Sequence, residues 1–468
     1  MTTANARVAA VPEDRSVLVE RIARAHAARD RVRRLSIEER LATIKRIGES
    51  IARDAGALVD LMIAEGSIHQ RATREVSRAI AIAARYDAYV DLIRPRPVEG
   101  PEPNTIVREP FGVVGLVPPS NAPFILTFAA LAASFGAGNA SVIRASARTA
   151  RSTRALIEKF IESCPPDSIQ PTTCAADQTL DELAANPHVR AVLLYAGSTV
   201  GKEFLVRLGK HYEETRTTSA NVPRIEGRLK KYIAELAGND PLVVLPGADA
   251  TTVAKWAAMA AFANAGQLCF GVKRMIVARS LFDTFVTTLV DEVRKLKVGP
   301  ANDPSTDIGP MRGGGARSLA IHQLEDARAR GGEVIVGGTI EGDHIHPTIV
   351  RFDESALLAR AAAEKPLLWS EECFAPIRSI VAYDDEEAAL QLAADTPYGL
   401  GASVYGPESK CLAFAERLDV GRVLINESPL YGDVSFPIGG VGDSGFYGAT
   451  QKIVELTYTK IIHVGRGG

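Results

Sequence analysis

Cys269 closes the stretch AFANAGQLCF over residues 261–270, where an apolar run gives way to Asn264, Gly266 and Gln267. Glycine and small polar residues ahead of a lone cysteine predict a loop that presents a thiol, not a core cysteine in a continuing helix. A thiol nucleophile needs three kinds of help. Its thiolate fraction must be raised, an oxyanion must be stabilised, and something must accept what leaves.

Two residues carry types suited to those tasks. Glu235, in AELAGNDP, ends a predicted strand and is followed by small residues that permit close approach. A carboxylate beside a thiol can act as a general base, directly or through a water, although an isolated glutamate is more often simply exposed. Asn121, in VPPSNAPF, lies between prolines that stiffen the segment. Its amide could donate to an oxyanion, the alternative being an Asx-type turn.

These residues need a frame. The 468 residues exceed one compact core, so at least two domains are expected. Residues 14–92 show apolar positions at helical spacing with Arg- and Glu-rich faces, which predicts solvated helices. A Pro-rich break follows at residues 94–104. From Gly112 onward short β-branched runs alternate with helical stretches, the pattern of a doubly wound parallel sheet. Ligands of such sheets sit at the carboxyl ends of strands, where residues 118–121, 144–147 and 197–201 fall. A second α/β pattern starts near Asp240. Residues 209–230 are polar without an apolar period and read as a surface insertion. The terminal stretch ELTYTKIIHVG alternates as a strand that needs a partner, and the Pro-rich excursion is a candidate.

Composition excludes several classes. Lys+Arg total 54 against 56 Asp+Glu, a net charge of -2, which argues against a nucleic-acid or acidic-membrane role. The five cysteines form no CxxC pair, so a reduced compartment is expected and structural zinc is not. His344, His346 and His463 lack a third ligand at convincing spacing, so no metal is expected. No apolar run is long enough for a bilayer and the first residues lack the apolar core of a signal peptide, so the expected location is cytoplasmic.

Taken together, the motifs resemble the aldehyde dehydrogenase superfamily over nearly the whole chain. EPFGVVGLVPPSNAP is similar to its oxyanion-asparagine segment, AELAGNDP to its general-base motif and NAGQLC to its nucleophile motif. EECFAPI resembles the segment that grips the nicotinamide ribose, and FPIGGVGDSG the glycine-rich stretch near the C-terminus. The order of the five, and the separations of Asn121 from Arg144 and of Glu235 from Cys269, suit the family. The resemblance implies an NAD(P)-dependent oxidation of an aldehyde to an acid through a thiohemiacetal and a thioester on Cys269. Asn121 and the Cys269 backbone N–H would hold the oxyanion, Glu235 would activate water, and Glu372 with Phe374 would position the nicotinamide riboside. An acylating enzyme with a thiol acceptor is the alternative, against which Glu235 argues. A silent binding protein is another, against which the retained set of four residues argues.

The resemblance also implies a fold of two doubly wound Rossmann-like domains with a small β oligomerisation element. Residues 1–93 and 111–235 would bind the dinucleotide, 236–447 would carry the cysteine, and 94–110 with 448–468 would form the element. A homodimer or homotetramer is expected. The cofactor segments depart from the family. Where a lysine and, three residues on, a glutamate usually hold the adenosine ribose, this chain has Arg144 and Ala147. Arg144 could pair with a 2′-phosphate, and no carboxylate repels one, so NADP is slightly favoured over NAD. The alternative is that Arg144 simply replaces the lysine. Gly197, Ser198 and, less securely, Gly201 are expected cofactor contacts at a helix start. Ser120 and Ala122 flank Asn121 where large aromatics are common, implying a bulkier aldehyde, with Leu268 and Phe270 refilling part of the pocket.

Overall fold

The computed structural model describes residues 12–98, 104–217, 228–432, 437–446, 448 and 450–465. The chain divides into two compact units, one of Met1–Glu65, Arg74–Ala234 and Thr450–Gly468, the other of Gly66–Thr73 and Glu235–Ala449.

The first unit begins with the helices Arg15–Arg33, Ile37–Arg53, Ala55–Ala64 and His69–Ala84. Their starts follow from side chains that satisfy free amides. Asp14 caps the first, and Ser36 with Glu39 forms a reciprocal capping box on the second. A five-stranded sheet follows in the order Ile169–Pro171, Ala140–Ile143, Val113–Val117, Val189–Tyr195, Lys231–Glu235. Its first four strands run parallel. The chain steps outward from Val113–Val117 in one direction and then in the other, so the carboxyl ends of Val113–Val117 and Val189–Tyr195 flank the switch point where ligands bind such sheets.

A separate antiparallel sheet joins Arg96–Val98, Asn104–Pro110 and Thr457–His463. The terminal strand thus finds its partner within the same chain, on the Pro-rich excursion. The expected insertion over residues 209–230 is corrected in its first part. The helix Ser198–Thr217 runs straight through residues 209–217, and the hydroxyl of Tyr212 accepts the Lys230 N–H at 2.7 Å. Residues 218–227 lie outside the described residues.

The second unit is built on a seven-stranded sheet, ordered Glu333–Val336, Thr348–Phe352, Ile377–Tyr383, Arg274–Ala278, Pro241–Val244, Ala402–Tyr405, Val423–Ile425. All pairs are parallel except the edge pair of Glu333–Val336 with Thr348–Phe352. Pro241, Arg274 and Ser379 stand in one row across three adjacent strands. Helices Ala250–Phe262 and Arg279–Lys295 pack on this sheet through Val253, Ala257, Phe285 and Leu289, all within one buried core.

Candidate active site

In the second unit the site grows from the amino ends of three neighbouring strands. Residues 235–240 lead into Pro241–Val244, residues 264–273 into Arg274–Ala278, and residues 372–376 into Ile377–Tyr383. The three motifs, distant in sequence, therefore meet along one edge of the sheet. This differs from the first unit, whose site segments lie at carboxyl ends.

The Cys269 loop owes its shape to backbone conformation. Asp249 caps Ala250–Phe262 by accepting from Thr251 and Thr252. Beyond the helix, Asn264, Ala265 and Gly266 take φ of 55°, 52° and 71° in succession, a left-handed turn that reverses the chain. Such angles cost little for glycine and asparagine and more for alanine, so the turn must be held from outside. Gln267 supplies part of the hold, donating to the Asn264 carbonyl and accepting from the Arg312 N–H at 3.0 Å. Gly266 has a further reason to lack a side chain, because a Cβ would meet the Ala375 carbonyl oxygen at 2.2 Å.

Three buried cations fasten the segments, and none was singled out in the sequence. Arg378 donates to the carbonyls of Ala261 and Gly266 on one side and of Cys373 and Ala375 on the other. It thereby ties the nucleophile loop to the segment bearing Glu372 and Phe374. Arg274 donates to the Asn239, Leu392 and Ala393 carbonyls and lies 5.2 Å from the centre of the Trp369 ring. Lys273 donates to the Leu268 and Cys269 carbonyls and pairs with Glu372 at 3.7 Å. In sequence these residues look like charges at strand starts. Their signal is that each abuts an apolar β-branched run, which carries its charge into the sheet edge.

Cys269 is half-buried. Burial, and after it the charges of Glu372 and Glu235, push its thiol up to about 12, with Lys273 pulling the other way. Glu235 thus lies close enough to act on the sulfur electrostatically. The resting group is a thiol, which needs a base or a charge change to become a nucleophile. Glu372 accepts the Gly238 N–H at 3.2 Å, and burial raises its pKa against the pull of Lys273. Leu268 is only 3% exposed and belongs to the core of its unit. Its main chain, anchored by Lys273, turns the side chain inward. Phe270 is half-buried beneath the Arg422 guanidinium, 5.3 Å from its ring centre.

In the first unit, Ser120, Asn121 and Ala122 follow strand Val113–Val117 and lead into helix Pro123–Gly136. Asn121 is 9% exposed. The segment is fixed by Glu75, itself 1% exposed, whose Oε2 accepts the Phe124 and Ile125 N–H groups at 3.1 and 3.3 Å. A carboxylate suits the positive end of that helix. Arg144 follows strand Ala140–Ile143, is half-buried, and uses Nε to bond the Cys174 carbonyl at 3.0 Å. Among the described residues no carboxylate forms an ion pair with it. Ala147 is exposed and opens a short turn that Ser146 caps.

Gly197 and Ser198 begin helix Ser198–Thr217, and nothing lies within 4 Å of where a Gly197 Cβ would stand. Gly201 is different. Its N–H donates to the Gly197 carbonyl inside the helix and its carbonyl accepts from Tyr232, so its amide does not face a ligand.

Comparison with known proteins places this arrangement. The model of the aldehyde dehydrogenase family matches residues 3–464. The putative succinate-semialdehyde dehydrogenase (NADP(+)) 2 of Mycobacterium tuberculosis is 32% identical over 439 residues, covering 90% of this chain and 79% of the relative. The vanillin dehydrogenase of Pseudomonas fluorescens is 29% identical, covering 77% of this chain and 71% of its own. Among solved structures, glyceraldehyde-3-phosphate dehydrogenase GapN of Methanocaldococcus jannaschii, complexed with NADP, superposes with a TM-score of 0.86 at 25% identity, covering 97% of this chain and 95% of that one. With a family model spanning residues 3–464 and a relative 32% identical over nine-tenths of this chain, the chain belongs to the aldehyde dehydrogenase family.

Proposed function

We propose that this protein oxidises an aldehyde to a carboxylic acid with a nicotinamide dinucleotide, using Cys269 as nucleophile, Glu235 as base and Asn121 as oxyanion donor. One observation carries the assignment of roles: the segments of Glu235, Cys269 and Glu372 lead into three neighbouring strands at one edge of the second sheet, where Lys273 bonds the Cys269 carbonyl and pairs with Glu372.

The chain's residues suit a dinucleotide. Gly197, with open space where its Cβ would stand, and Ser198, at the positive end of a 20-residue helix, would hold a phosphate of the dinucleotide. The Arg144 guanidinium spends only Nε on the protein, which leaves its terminal nitrogens for a 2′-phosphate. NADP is therefore favoured over NAD. The M. tuberculosis relative named as NADP-dependent and the NADP-bound GapN structure agree with this preference. The bound dinucleotide supplies the hydride acceptor.

The side chains do the rest. Cys269, having released its proton to solvent, adds as a thiolate to the aldehyde carbon, the C–S bond forming as the carbonyl π bond opens to an oxyanion. The Cys269 backbone N–H and the Asn121 amide are the donors proposed for the new oxyanion, its charge being met by fixed dipoles. Once the carbon is oxidised to a thioester, Glu235 takes a proton from water, which attacks and frees the acid. A carboxylate in this place favours water over a thiol as acceptor. Glu372, held by Gly238 and Lys273, is the carboxylate that would bind a ribose hydroxyl of the dinucleotide.

The relatives are named for succinate semialdehyde, vanillin and lactaldehyde, which differ in size and charge. The small neighbours of Asn121, Ser120 and Ala122, support a substrate bulkier than acetaldehyde. Strand Thr457–His463 ends its sheet with Ile461 and Ile462 exposed, which supports pairing with another copy in a dimer or tetramer. Among the described residues no helix is long and apolar enough to cross a membrane, and a cytoplasmic location is proposed. The test is Cys269→Ala. It should abolish aldehyde-dependent reduction of NADP and NAD while leaving dinucleotide binding intact, and residual turnover would overturn the assignment.

A further inference from the structure

We propose that Lys273 is a positioning residue that aims the backbone N–H of Cys269 and so builds the main-chain half of the oxyanion hole. This rests on the reading above, in which Cys269 attacks an aldehyde.

Lys273 is 2% exposed. Its Nζ donates to the carbonyls of Leu268 at 2.5 Å, Cys269 at 3.3 Å and Gly271 at 3.5 Å, and Glu372 Oε1 lies 3.7 Å away. All four partners are acceptors. An ammonium, with three donors and no acceptor, suits this set of partners; burial opposes that form and the Glu372 charge favours it. The cation is itself anchored. The Lys273 N–H donates to the Asp240 carbonyl at 3.0 Å, and its carbonyl accepts the Ser379 N–H at 3.1 Å.

The consequence follows from the planarity of the peptide unit. In a trans peptide the carbonyl and the next residue's N–H point in opposite directions within one plane. Lys273 draws the Leu268 carbonyl toward itself, so the Cys269 N–H points away from the buried ammonium. Among the described residues that N–H donates to no protein acceptor, whereas the Gly271 N–H closes a turn on Leu268 at 3.2 Å. Removing the ammonium leaves three loop carbonyls without their cation. The loop would then rotate its peptides to find other donors, and the Cys269 N–H would turn with them.

Two reagents separate this role from a general effect on the thiol. Iodoacetamide alkylates sulfur by displacement and forms no oxyanion. p-Nitrophenyl acetate acylates the same sulfur through a tetrahedral oxyanion, the C–S bond forming and the C–O bond breaking as p-nitrophenolate leaves. Loss of the Lys273 charge lowers the thiolate fraction equally for both, so the ratio of acylation to alkylation rates cancels it. Both rates are taken above a Cys269→Ala background, which removes the other cysteines. In Lys273→Met the ratio should fall at least about tenfold, since a lost oxyanion donor costs about 100- to 1,000-fold. Lys273→Gln, which keeps one amide donor, should fall between that variant and wild type, and its ratio decides the matter if Lys273→Met does not fold. A ratio within about twofold of wild type would overturn the proposal. Failure of the aldehyde reading looks different: the wild-type protein would reduce neither NADP nor NAD with any aldehyde, while the ratio still fell.

Discussion

A Cβ on Gly238 would stand 2.4 Å from the carbonyl oxygen of Cys269. The glycine of the Glu235 segment thus lies directly against the main chain of Cys269, and its own N–H holds Glu372. Neither neighbour can yield freely, because Lys273 bonds the Cys269 carbonyl and pairs with Glu372. Gly238→Ala should therefore displace the nucleophile loop. Overpacking of this kind costs about 1–3 kcal/mol, visible as a lower Tm. Turnover should fall far more than stability, by about 100-fold, because an ångström at the reacting sulfur matters more than the same shift elsewhere. A thermal melt and a steady-state assay on the same preparation check both halves.

Glu235→Gln separates two uses of one carboxylate. The Glu235 charge helps keep the Cys269 thiol high, after burial and Glu372. Neutralising it lowers the thiol pKa, so alkylation by iodoacetamide at pH 8 should be no slower than in wild type. Steady-state acid formation should nevertheless drop by about 100-fold or more, the usual worth of a general base. The first turnover, seen as a burst of reduced dinucleotide in rapid mixing, should survive. If alkylation slows in step with turnover, Glu235 deprotonates the sulfur itself rather than water.

Ala147 is exposed beside the half-buried Arg144, with no carboxylate ion-paired to that arginine among the described residues. Ala147→Glu would place a negative charge against a 2′-phosphate and offer an acceptor to ribose hydroxyls. The ratio of kcat/KM for NADP over NAD should fall at least about tenfold, equal to about 1.4 kcal/mol. Wild type should favour NADP. A strong NAD preference in wild type would mean that Arg144 merely takes the place of a lysine.

Cys269, Glu235 and Asn121 stand out as candidates in the sequence because each is a reactive type set among glycines, prolines and small residues, and local chemistry of that kind leaves a mark in sequence. The alternating strands and helices were legible for the same reason, since periodicity is a local property. What escaped was non-local. Lys273, Arg274 and Arg378 look like ordinary charges until the sheet order brings three strand starts together and turns their side chains onto carbonyls. Glu75 lies some fifty residues from the helix it caps. Residues 209–217 misled because their solvated face carries Lys and Glu, which are good helix formers but show no apolar stripe.

Asp240 offers a test by pH. Its carboxyl is buried, accepts the Gly401 N–H at 3.1 Å, and is pushed by burial from 3.8 up to about 7. The nearby Lys273 and Arg422 charges, and the Gly401 N–H, pull it back, while Glu372 adds to the rise. The folded protein therefore keeps this proton over a range where the unfolded chain has released it. With fewer protons on the unfolded state, stability falls as pH rises through that range. The contribution is fully present below about pH 4 and is lost progressively toward pH 7. Asp240→Asn removes the ionisation while an amide oxygen still accepts from Gly401. The stability of wild type minus that of the variant should thus decline from pH 4 to pH 7, by up to about 1.4 kcal/mol per pH unit, and flatten above pH 7. Denaturant unfolding of both proteins across that range measures it. A difference that instead grows with pH would mean that Lys273 and Arg422 outweigh burial and hold Asp240 as a carboxylate throughout.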